Sequence, residues 1–325
     1  MPGKEKELED LDRQDLLRSE YEAQKKGEKL KFDQDEYENN LTGPLLRVNL
    51  DIKAEEFSIS SEAKVDIYSE NRRIGQLDSG EDLGMRIVDG HIQIESNDLK
   101  ESGEIIRLET DPESGIQIKN VSHPYSCKED DNIFRGLLEF QIEGNSLIAI
   151  NELALEDYLK GVCEVSNDAP TEKQKAMAVI ARSYAYHYLQ KDNRKFPEKD
   201  YDASSDPDVF QKYCGLGYEK RAPNFTSAVE ETRGEMVYYE NKVVKTPYFN
   251  ESDGQTKSAQ EVWGWEDTPY LESVKDPFCK EGKGELKGHG VGLSGCGAEG
   301  MAEKGWNYVK ILKYYYQGVE IKKGF

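Results

Sequence analysis

The sequence contains few of the residues that build metal and redox sites, with five cysteines and four histidines among 325 residues. No C-x-x-C pair occurs, so the strongest signature of a structural zinc site is missing. The cysteines are too few for a disulfide scaffold in a chain of this length, and their odd number leaves at least one unpaired within a monomer. These absences exclude a disulfide-rich module and a chain built around C-x-x-C zinc sites.

Basic residues are in the minority, with 43 lysines and arginines against 64 aspartates and glutamates and a net charge of −21. A protein that binds duplex nucleic acid needs a basic surface to neutralise phosphates, so no nucleic-acid partner is expected. The same charge disfavours electrostatic docking on anionic lipid. No apolar run approaches the roughly 20 residues of a spanning helix, so no membrane segment is expected within the given residues.

The first residues also lack the apolar run of a secretory signal. Two expectations stay open: the protein is cytosolic, or a signal or membrane anchor was removed from it. Residues 1–42 are densely charged with mixed signs and carry only a thin apolar stripe. This pattern is typical of a solvated helix or a disordered tether.

Local patterning predicts an α+β fold for the rest of the chain. Residues 43–145 contain short β-like runs separated by turn signals, which is typical of a β-rich, mostly antiparallel module. Residues 146–325 mix helical and β patterns and form a predicted core. Within this core we expect a short helix in 151–162, a long helix at 171–190, strands at 234–239 and 242–249, a glycine-rich stretch at 288–302 and a final helix at 306–318.

The long helix has start signals of its own. Asp168 is expected to cap it, with Pro170 in its first turn. Four alanines are spread around its circumference, so it is expected to be buried on more than one side: Ala176, Ala178, Ala181 and Ala185.

Of the four histidines, His289 is the candidate functional residue. It lies between glycines, where bare backbone lets a substrate approach closely. His91 and His123 lie among turn residues and are expected at the surface. His187 lies on the tyrosine-rich long helix and is expected to be packed and hydrogen-bonded.

The glycines of residues 290–295 also match the G-x-G-x-x-G dinucleotide fingerprint. That fingerprint has meaning only between a strand and a helix of a βαβ unit, with an acidic residue about 20 positions further on. Here the preceding residues are not an apolar strand, no second strand is evident, and only 30 residues follow. Cys279, His289 and Cys296 could instead supply zinc ligands, and a Cys279–Cys296 disulfide is an equal alternative in an extracytoplasmic protein. Cys163 could act as a thiol nucleophile with His289 as its base, or be a small apolar filler.

Glu164 is the candidate acid or base. It follows a predicted helix end, and apolar neighbours surround it in the sequence. A carboxylate in such a place loses hydration, so its pKa rises. That suits a general acid or base working near neutral pH.

Residues 134–185 carry the motifs NELALEDYLKG and AMAVIARSYA in this order and closely resemble the SpoIID/LytB family, the stage II sporulation protein D-like lytic transglycosylases. The resemblance continues in four further segments and covers roughly 134–321: residues 201–215, 228–256, 262–277 and 288–321. The order and combination of the pieces make it specific.

The resemblance implies roles for individual residues. Glu164 matches the catalytic glutamate by its position after Tyr-Leu-x-Gly and before Pro170. Substrate-binding roles are implied for Arg182, Ser183, Tyr184, Gln211, Tyr213, Ser252, Gly254, Thr256, His289 and Ser294.

The sequence departs from the family pattern at three kinds of place. Gly295 stands where the family has glutamine, and Val165-Ser166 replaces methionine-proline after the glutamate. Some members bind zinc at positions that fall here around Lys195, Ser204 and Phe210, so neither a metal nor a cofactor is expected.

The implied substrate is the peptide-stripped glycan strand of peptidoglycan, cut between N-acetylmuramic acid and N-acetylglucosamine with formation of a 1,6-anhydro product. The implied location is extracytoplasmic, in the cell envelope of a bacterium, with a cell-wall amidase as a further partner. Two other functions stay open. One is a non-catalytic glycan-binding regulator of the amidase-enhancer type, and the other is a peptidoglycan hydrolase that uses Cys163 or the Cys279, His289 and Cys296 set.

Overall fold

A computed structural model describes residues 43–97, 99–111, 113–121, 124–125, 128, 131–279 and 285–325. The tether predicted for residues 1–42 lies outside the described residues, as do His123 and Cys127. In the described part of the chain, no helix has the length and apolar character needed to cross a membrane.

The largest sheet has seven strands in the order β13-β1-β12-β11-β8-β3-β4. Its strands are β1 (Leu45–Ala54), β3 (Val65–Ser69), β4 (Arg72–Leu77), β8 (Ile106–Glu109), β11 (Leu137–Glu143), β12 (Ser146–Ala154) and β13 (Ala203–Ser204). Neighbouring strands are antiparallel except β1 and β13, which pair in parallel. The domain boundary expected after residue 145 falls inside the β11–β12 hairpin, so this sheet continues across it.

A second sheet of six strands has the order β10-β9-β2-β5-β6-β7. It is built from β2 (Glu56–Ser60), β5 (Leu83–Val88), β6 (His91–Glu95), β7 (Lys100–Gly103), β9 (Ile116–Ile118) and β10 (Ile133–Phe134). Alternating positions face the core that the two sheets share, and Phe57 meets Phe140 across it with ring centroids 5.4 Å apart. The predicted β-rich module and the α+β class are confirmed.

Helix α2 (Thr171–Leu189) is the centre of the remaining structure. The other helices are α1 (Leu155–Lys160), α3 (Gly215–Arg221), α4 (Pro223–Glu231), α5 (Ala259–Trp263), α6 (Gly295–Glu303) and α7 (Tyr308–Tyr315). Helix α2 contacts α1, α4, α6, α7 and strand β14 (Glu235–Tyr239). Its alanines are at most 1% exposed, because a small side chain lets neighbours approach from several sides.

The start of α2 differs from the expected cap. Pro170 is the N-cap residue itself, and no side chain caps the helix. Asp168 is exposed, and its backbone N–H donates to the Ser166 hydroxyl at 3.2 Å. The predicted Asp168 cap is therefore wrong.

Two small sheets complete the fold. One contains β14, β15 (Lys242–Val243) and β18 (Glu320–Lys323), and the other pairs β16 (Tyr248–Phe249) in parallel with β17 (Leu293–Ser294). The single strand predicted at 242–249 is thus two short strands. Pro247 offers no backbone N–H, and Thr246 donates its hydroxyl to the Ile180 carbonyl of helix α2 at 2.7 Å, so the strand is interrupted between β15 and β16.

Half of the glycine-rich stretch is helical, in α6. Ser294 accepts a hydrogen bond from the Gly297 N–H at 3.1 Å and caps the helix. A Cβ on Gly297 would lie 2.1 Å from the Tyr315 hydroxyl and 2.4 Å from the Asp276 carboxylate. Glycine at this position lets the helix pack closely against its neighbours. A glycine-rich sequence is equally typical of a loop, so the composition alone does not predict this helix.

Candidate active site

Glu164 is positioned by a short backbone bridge after helix α1. Val162 pairs with Tyr213, and the Cys163 N–H donates to the Lys212 carbonyl at 2.8 Å. Gly161 makes this approach possible, because a Cβ there would lie 2.5 Å from the Tyr213 ring. The bridge delivers the half-buried Glu164 to the edge of an open cavity of about 470 Å³.

The Glu164 carboxyl has two hydrogen-bond donors and a largely dehydrated environment. Its Oε1 accepts the Lys212 backbone N–H at 2.8 Å, and the Tyr248 hydroxyl is a second donor. Burial raises the pKa of Glu164 above its usual range, while the hydrogen bond and charge of Lys212 and the hydrogen bond of Tyr248 partly oppose the rise. The acid form is thus favoured more than in a solvated glutamate.

A chain of side-chain hydrogen bonds orients Tyr248. The Tyr158 hydroxyl donates to Gln211 Oε1 at 3.2 Å, and Gln211 Nε2 donates to the Tyr248 hydroxyl oxygen at 3.2 Å. Because that oxygen already accepts from Gln211, the Tyr248 proton is available to Glu164. Gln211 therefore acts as a positioning residue through Tyr248.

His289 lies on the glycine loop before β17 and bonds to the backbone of Tyr248. Strands β16 and β17 pair Tyr248 with Leu293, which brings the glycine loop before β17 against the segment that carries Tyr248. Gly288 has a φ of +106°, and a Cβ there would lie 2.9 Å from Phe249 Cβ, so glycine is required by both conformation and space.

The His289 ring has a defined protonation state. Its Nδ1 accepts the Val291 backbone N–H at 3.0 Å, so the neutral ring carries its proton on Nε2. Burial lowers the pKa of His289, and a hydrogen bond with the Tyr248 backbone carbonyl opposes this. At neutral pH the ring is therefore an uncharged hydrogen-bonding group.

Aromatic rings extend the site away from Glu164. The His289 ring lies 4.8 Å from Trp263, and Trp263 lies 4.5 Å from Trp265, all measured between ring centroids. Trp263 is 37% exposed, so part of its side chain is open to solvent. On helix α2, Tyr184 lies 5.0 Å from Tyr188. Such rings combine apolar faces with polar edges.

The structure brings together four of the sequence-predicted residues: Glu164, Tyr184, Gln211 and His289. Tyr184 packs against Phe210, the residue before Gln211, with ring centroids 5.1 Å apart. Tyr248, Trp263 and Trp265 were not among the predicted site residues. Only the pairing of β16 with β17 places Tyr248 beside Glu164, and no local pattern signals that pairing.

Two predicted residues on helix α2 have structural partners instead. The Arg182 guanidinium is fully buried and donates to both Glu156 carboxylate oxygens at 2.8 Å. Ser183 donates to the Val179 carbonyl at 2.6 Å and accepts the Val237 N–H at 2.9 Å. These contacts hold α2 against α1 and β14 and leave no exposed atom for a ligand.

Four more predicted residues are buried within the protein and bonded to it. Tyr213 donates to Asn151 Oδ1 at 2.8 Å, and Thr256 Oγ1 accepts the Val274 N–H at 2.9 Å. Ser252 accepts the Gly254 N–H at 3.1 Å, and Ser294 caps α6. Each of these four side chains is at most 3% exposed and bonded within the protein. Their substrate-binding roles stay predictions.

The cysteines bear on three alternatives left open by the sequence: a zinc site, a disulfide and a thiol nucleophile. Cys279 and Cys296 form a disulfide, so both sulfurs are already bonded and the Cys279, His289 and Cys296 metal set is wrong. Cys163 and Cys214 are free thiols that share a hydrogen bond, which lowers the pKa of Cys163. In the described part of the chain His289 bonds to Val291 and Tyr248, and no hydrogen bond joins it to Cys163.

The other described histidines agree with their predicted places. His91 is exposed, with Nδ1 3.1 Å from the Asp89 carbonyl. His187 is half-buried on α2, with Nδ1 3.3 Å from the Val243 carbonyl.

The model of the family described as "Stage II sporulation protein", SpoIID, matches residues 143–239, which include Glu164 and most of its neighbours. The stage II sporulation protein D of Bacillus amyloliquefaciens is 26% identical over 266 residues, covering 54% of this chain and 76% of that protein. Its counterpart in Bacillus subtilis strain 168 is 25% identical over 313 residues, covering 67% of this chain and 90% of that protein.

Residues 143–239 therefore carry a SpoIID domain, and most of the chain is similar to stage II sporulation protein D. A further relative is named amidase enhancer, also from Bacillus subtilis strain 168. It is 31% identical over 122 residues, which cover 36% of this chain and 15% of that protein.

Proposed function

We propose that this protein is a peptidoglycan lytic transglycosylase with Glu164 as its general acid and base. The SpoIID domain and the similarity to stage II sporulation protein D support a function in the cell wall. The observation that carries the reaction is the single, dehydrated Glu164 carboxyl, held by Tyr248 and the Lys212 N–H at the edge of an open cavity. Among the described residues that line this cavity, Glu164 is the one carboxylate.

One carboxyl is enough for an intramolecular reaction. Protonated Glu164 donates its proton to the glycosidic oxygen, and the bond from that oxygen to C1 of N-acetylmuramic acid breaks. The 6-hydroxyl of the same sugar bonds to C1, and its proton passes to the Glu164 carboxylate. Glycosidases that use water or an enzyme nucleophile need a second carboxylate, whereas the tethered hydroxyl already has a high effective concentration.

The neighbours of Glu164 suit both of its protonation states. Burial favours the acid that starts the reaction, and the Tyr248 hydroxyl and Lys212 N–H stabilise the carboxylate that follows proton transfer. The exposed Trp263 side chain, next to the His289 ring, offers an apolar surface to a sugar ring. The site thus provides acid, base and a sugar-binding surface.

An extracytoplasmic location is part of this proposal. Disulfides persist in oxidising compartments and are rare in the cytosol, so the Cys279–Cys296 bond supports an extracytoplasmic location. The bacterial cell wall lies in such a compartment.

The decisive experiment is mass spectrometry of products from peptide-free glycan strands. We expect products ending in 1,6-anhydro-N-acetylmuramic acid, which are lighter by one water, about 18 Da, because the ring closes without adding water. Glu164→Gln keeps the shape but cannot exchange a proton, so cleavage should fall by ~10²–10⁴-fold while strand binding persists.

Two results would overturn the proposal. Hydrated products, or oxygen incorporated from labelled water, would mean hydrolysis. Strand binding by the wild-type protein with no cleavage would instead favour a glycan-binding regulator, a function suggested by the name of the amidase-enhancer relative.

A further inference from the structure

Two lysines beside the site have no role in the proposed reaction. Lys195 follows the 3₁₀ turn at Lys191–Asn193, and Lys245 lies three residues before Tyr248. Both are half-buried against aromatic rings, and both face Tyr188, with their ammonium nitrogens 5.5 Å and 5.7 Å from its centroid. The Lys245 nitrogen also lies 4.3 Å above the Trp265 ring.

The pair has no counter-charge. Within the described residues, no carboxylate oxygen lies within 4.0 Å of either ammonium group, although acidic residues exceed basic ones by 64 to 43. Other partly buried lysines do have one: Lys160 lies 2.8 Å from Glu230, Lys173 2.6 Å from Glu299 and Lys175 2.6 Å from Glu231. Burial lowers the pKa of both lysines, and the charge of Lys245 lowers that of Lys195 further.

An unneutralised pair of like charges is unfavourable in a partly dehydrated place, and a bound anion would relieve that cost. Of the two lysines, Lys195 has hydrogen-bond acceptors within the described protein. Its ammonium donates to the Val209 carbonyl and lies 3.4 Å from the Tyr184 hydroxyl. The Lys245 ammonium lies over the faces of the Tyr188 and Trp265 rings.

Lys195 adjoins residues that position the catalytic glutamate. Its ammonium lies 3.4 Å from the Tyr184 hydroxyl. Phe210, which Lys195 also covers at 5.9 Å, precedes Gln211 in the chain. A ligand group that reaches Lys195 would therefore lie beside Gln211, which bonds to Tyr248 at the reaction centre.

We propose that Lys195 and Lys245 form a subsite for the lactyl carboxylate of an N-acetylmuramic acid that has lost its stem peptide. In a substituted strand this carboxyl is an amide and carries no charge. In a stripped strand it is an anion on the sugar itself, and two ammonium groups complement it. The inference rests on the proposed function, since it takes the glycan strand as the ligand, and adds to it the residues that select stripped strands.

The test is a binding measurement in the Glu164→Gln background, where the strand stays intact. Two ligands of equal length are compared: peptide-stripped strands, and a chitin oligosaccharide that lacks the lactyl group. Lys195→Met and Lys245→Met keep the apolar stems and remove the charges. We expect the double variant to lose about 10-fold or more in affinity for stripped strands and less than about 2-fold for the chitin oligosaccharide.

Controls separate charge from folding. Lys313 is exposed on α7, so Lys313→Met should change neither affinity. Lys245→Arg keeps the charge and should retain most of the affinity, and a thermal unfolding transition confirms that each variant is folded.

Each outcome decides one of the two proposals. Equal losses on both ligands, no loss on stripped strands, or no binding of stripped strands by the parent protein would overturn the subsite. Charge-selective binding without any strand cleavage by the protein with Glu164 intact would uphold the subsite and overturn the lytic reaction.

Discussion

At the scale of single residues, Tyr248 controls the acidity of Glu164. Its hydrogen bond lowers the pKa of Glu164, so Tyr248→Phe should raise that pKa further. Because the proposed reaction starts from the protonated acid, the alkaline limb of kcat/KM should move to higher pH. The rate should fall about 10-fold or more, since the carboxylate formed by proton transfer loses a donor. A pH–rate profile measures both changes.

The matched control is Tyr308→Phe. The Tyr308 hydroxyl donates to Glu235 at 2.8 Å, and neither residue takes part in the hydrogen bonds around Glu164. Its pH profile should coincide with that of the unchanged protein. An alkaline limb that stays in place or moves to lower pH in Tyr248→Phe would contradict the assigned hydrogen bond.

At the scale of an element, helix α6 depends on the absence of a side chain at Gly297, one of its buried positions. Alanine ordinarily favours a helix over glycine by about 1 kcal/mol. Gly297→Ala should nevertheless destabilise the protein by about 1–3 kcal/mol, because the new methyl group would overlap Tyr315 and Asp276. Urea unfolding measures the free energy of unfolding. In Gly84→Ala the new methyl group lies 3.6 Å from its nearest neighbour, so this variant should change stability little.

Helix α6 also marks the limit of prediction from the sequence. Helix α2 and the strands of the β-rich module follow from local periodicity, and Glu164 follows from its apolar neighbours and from motif order. In contrast, the break at Pro247, the helical half of the glycine-rich stretch and the place of Tyr248 depend on partners distant in the chain. Three-dimensional packing determines these three features, and no local sequence pattern indicates that packing.

At the scale of the whole molecule, the Cys279–Cys296 disulfide closes a loop with a sequence separation of 17 that contains His289. Closing a loop of this length stabilises a protein by about 3 kcal/mol by restricting the unfolded chain. A reducing agent should therefore lower the unfolding midpoint of the unchanged protein. The Cys279→Ser, Cys296→Ser double variant should start at the lower midpoint and show no further change. An equal response of both proteins to the reductant would contradict this expectation.

Strand β1 has a consequence for the order of events during synthesis. Val48 pairs on one side with Asn151 and on the other with Ala203, so both of its neighbours are made more than a hundred residues after it. Contacts this distant in sequence form slowly, since a long loop must close before they contribute. Until residue 204 has emerged, one side of β1 is an unpaired edge that can pair with another chain. A nascent chain that stalls before that point is therefore exposed to aggregation, and a holding chaperone would have its greatest effect in that interval.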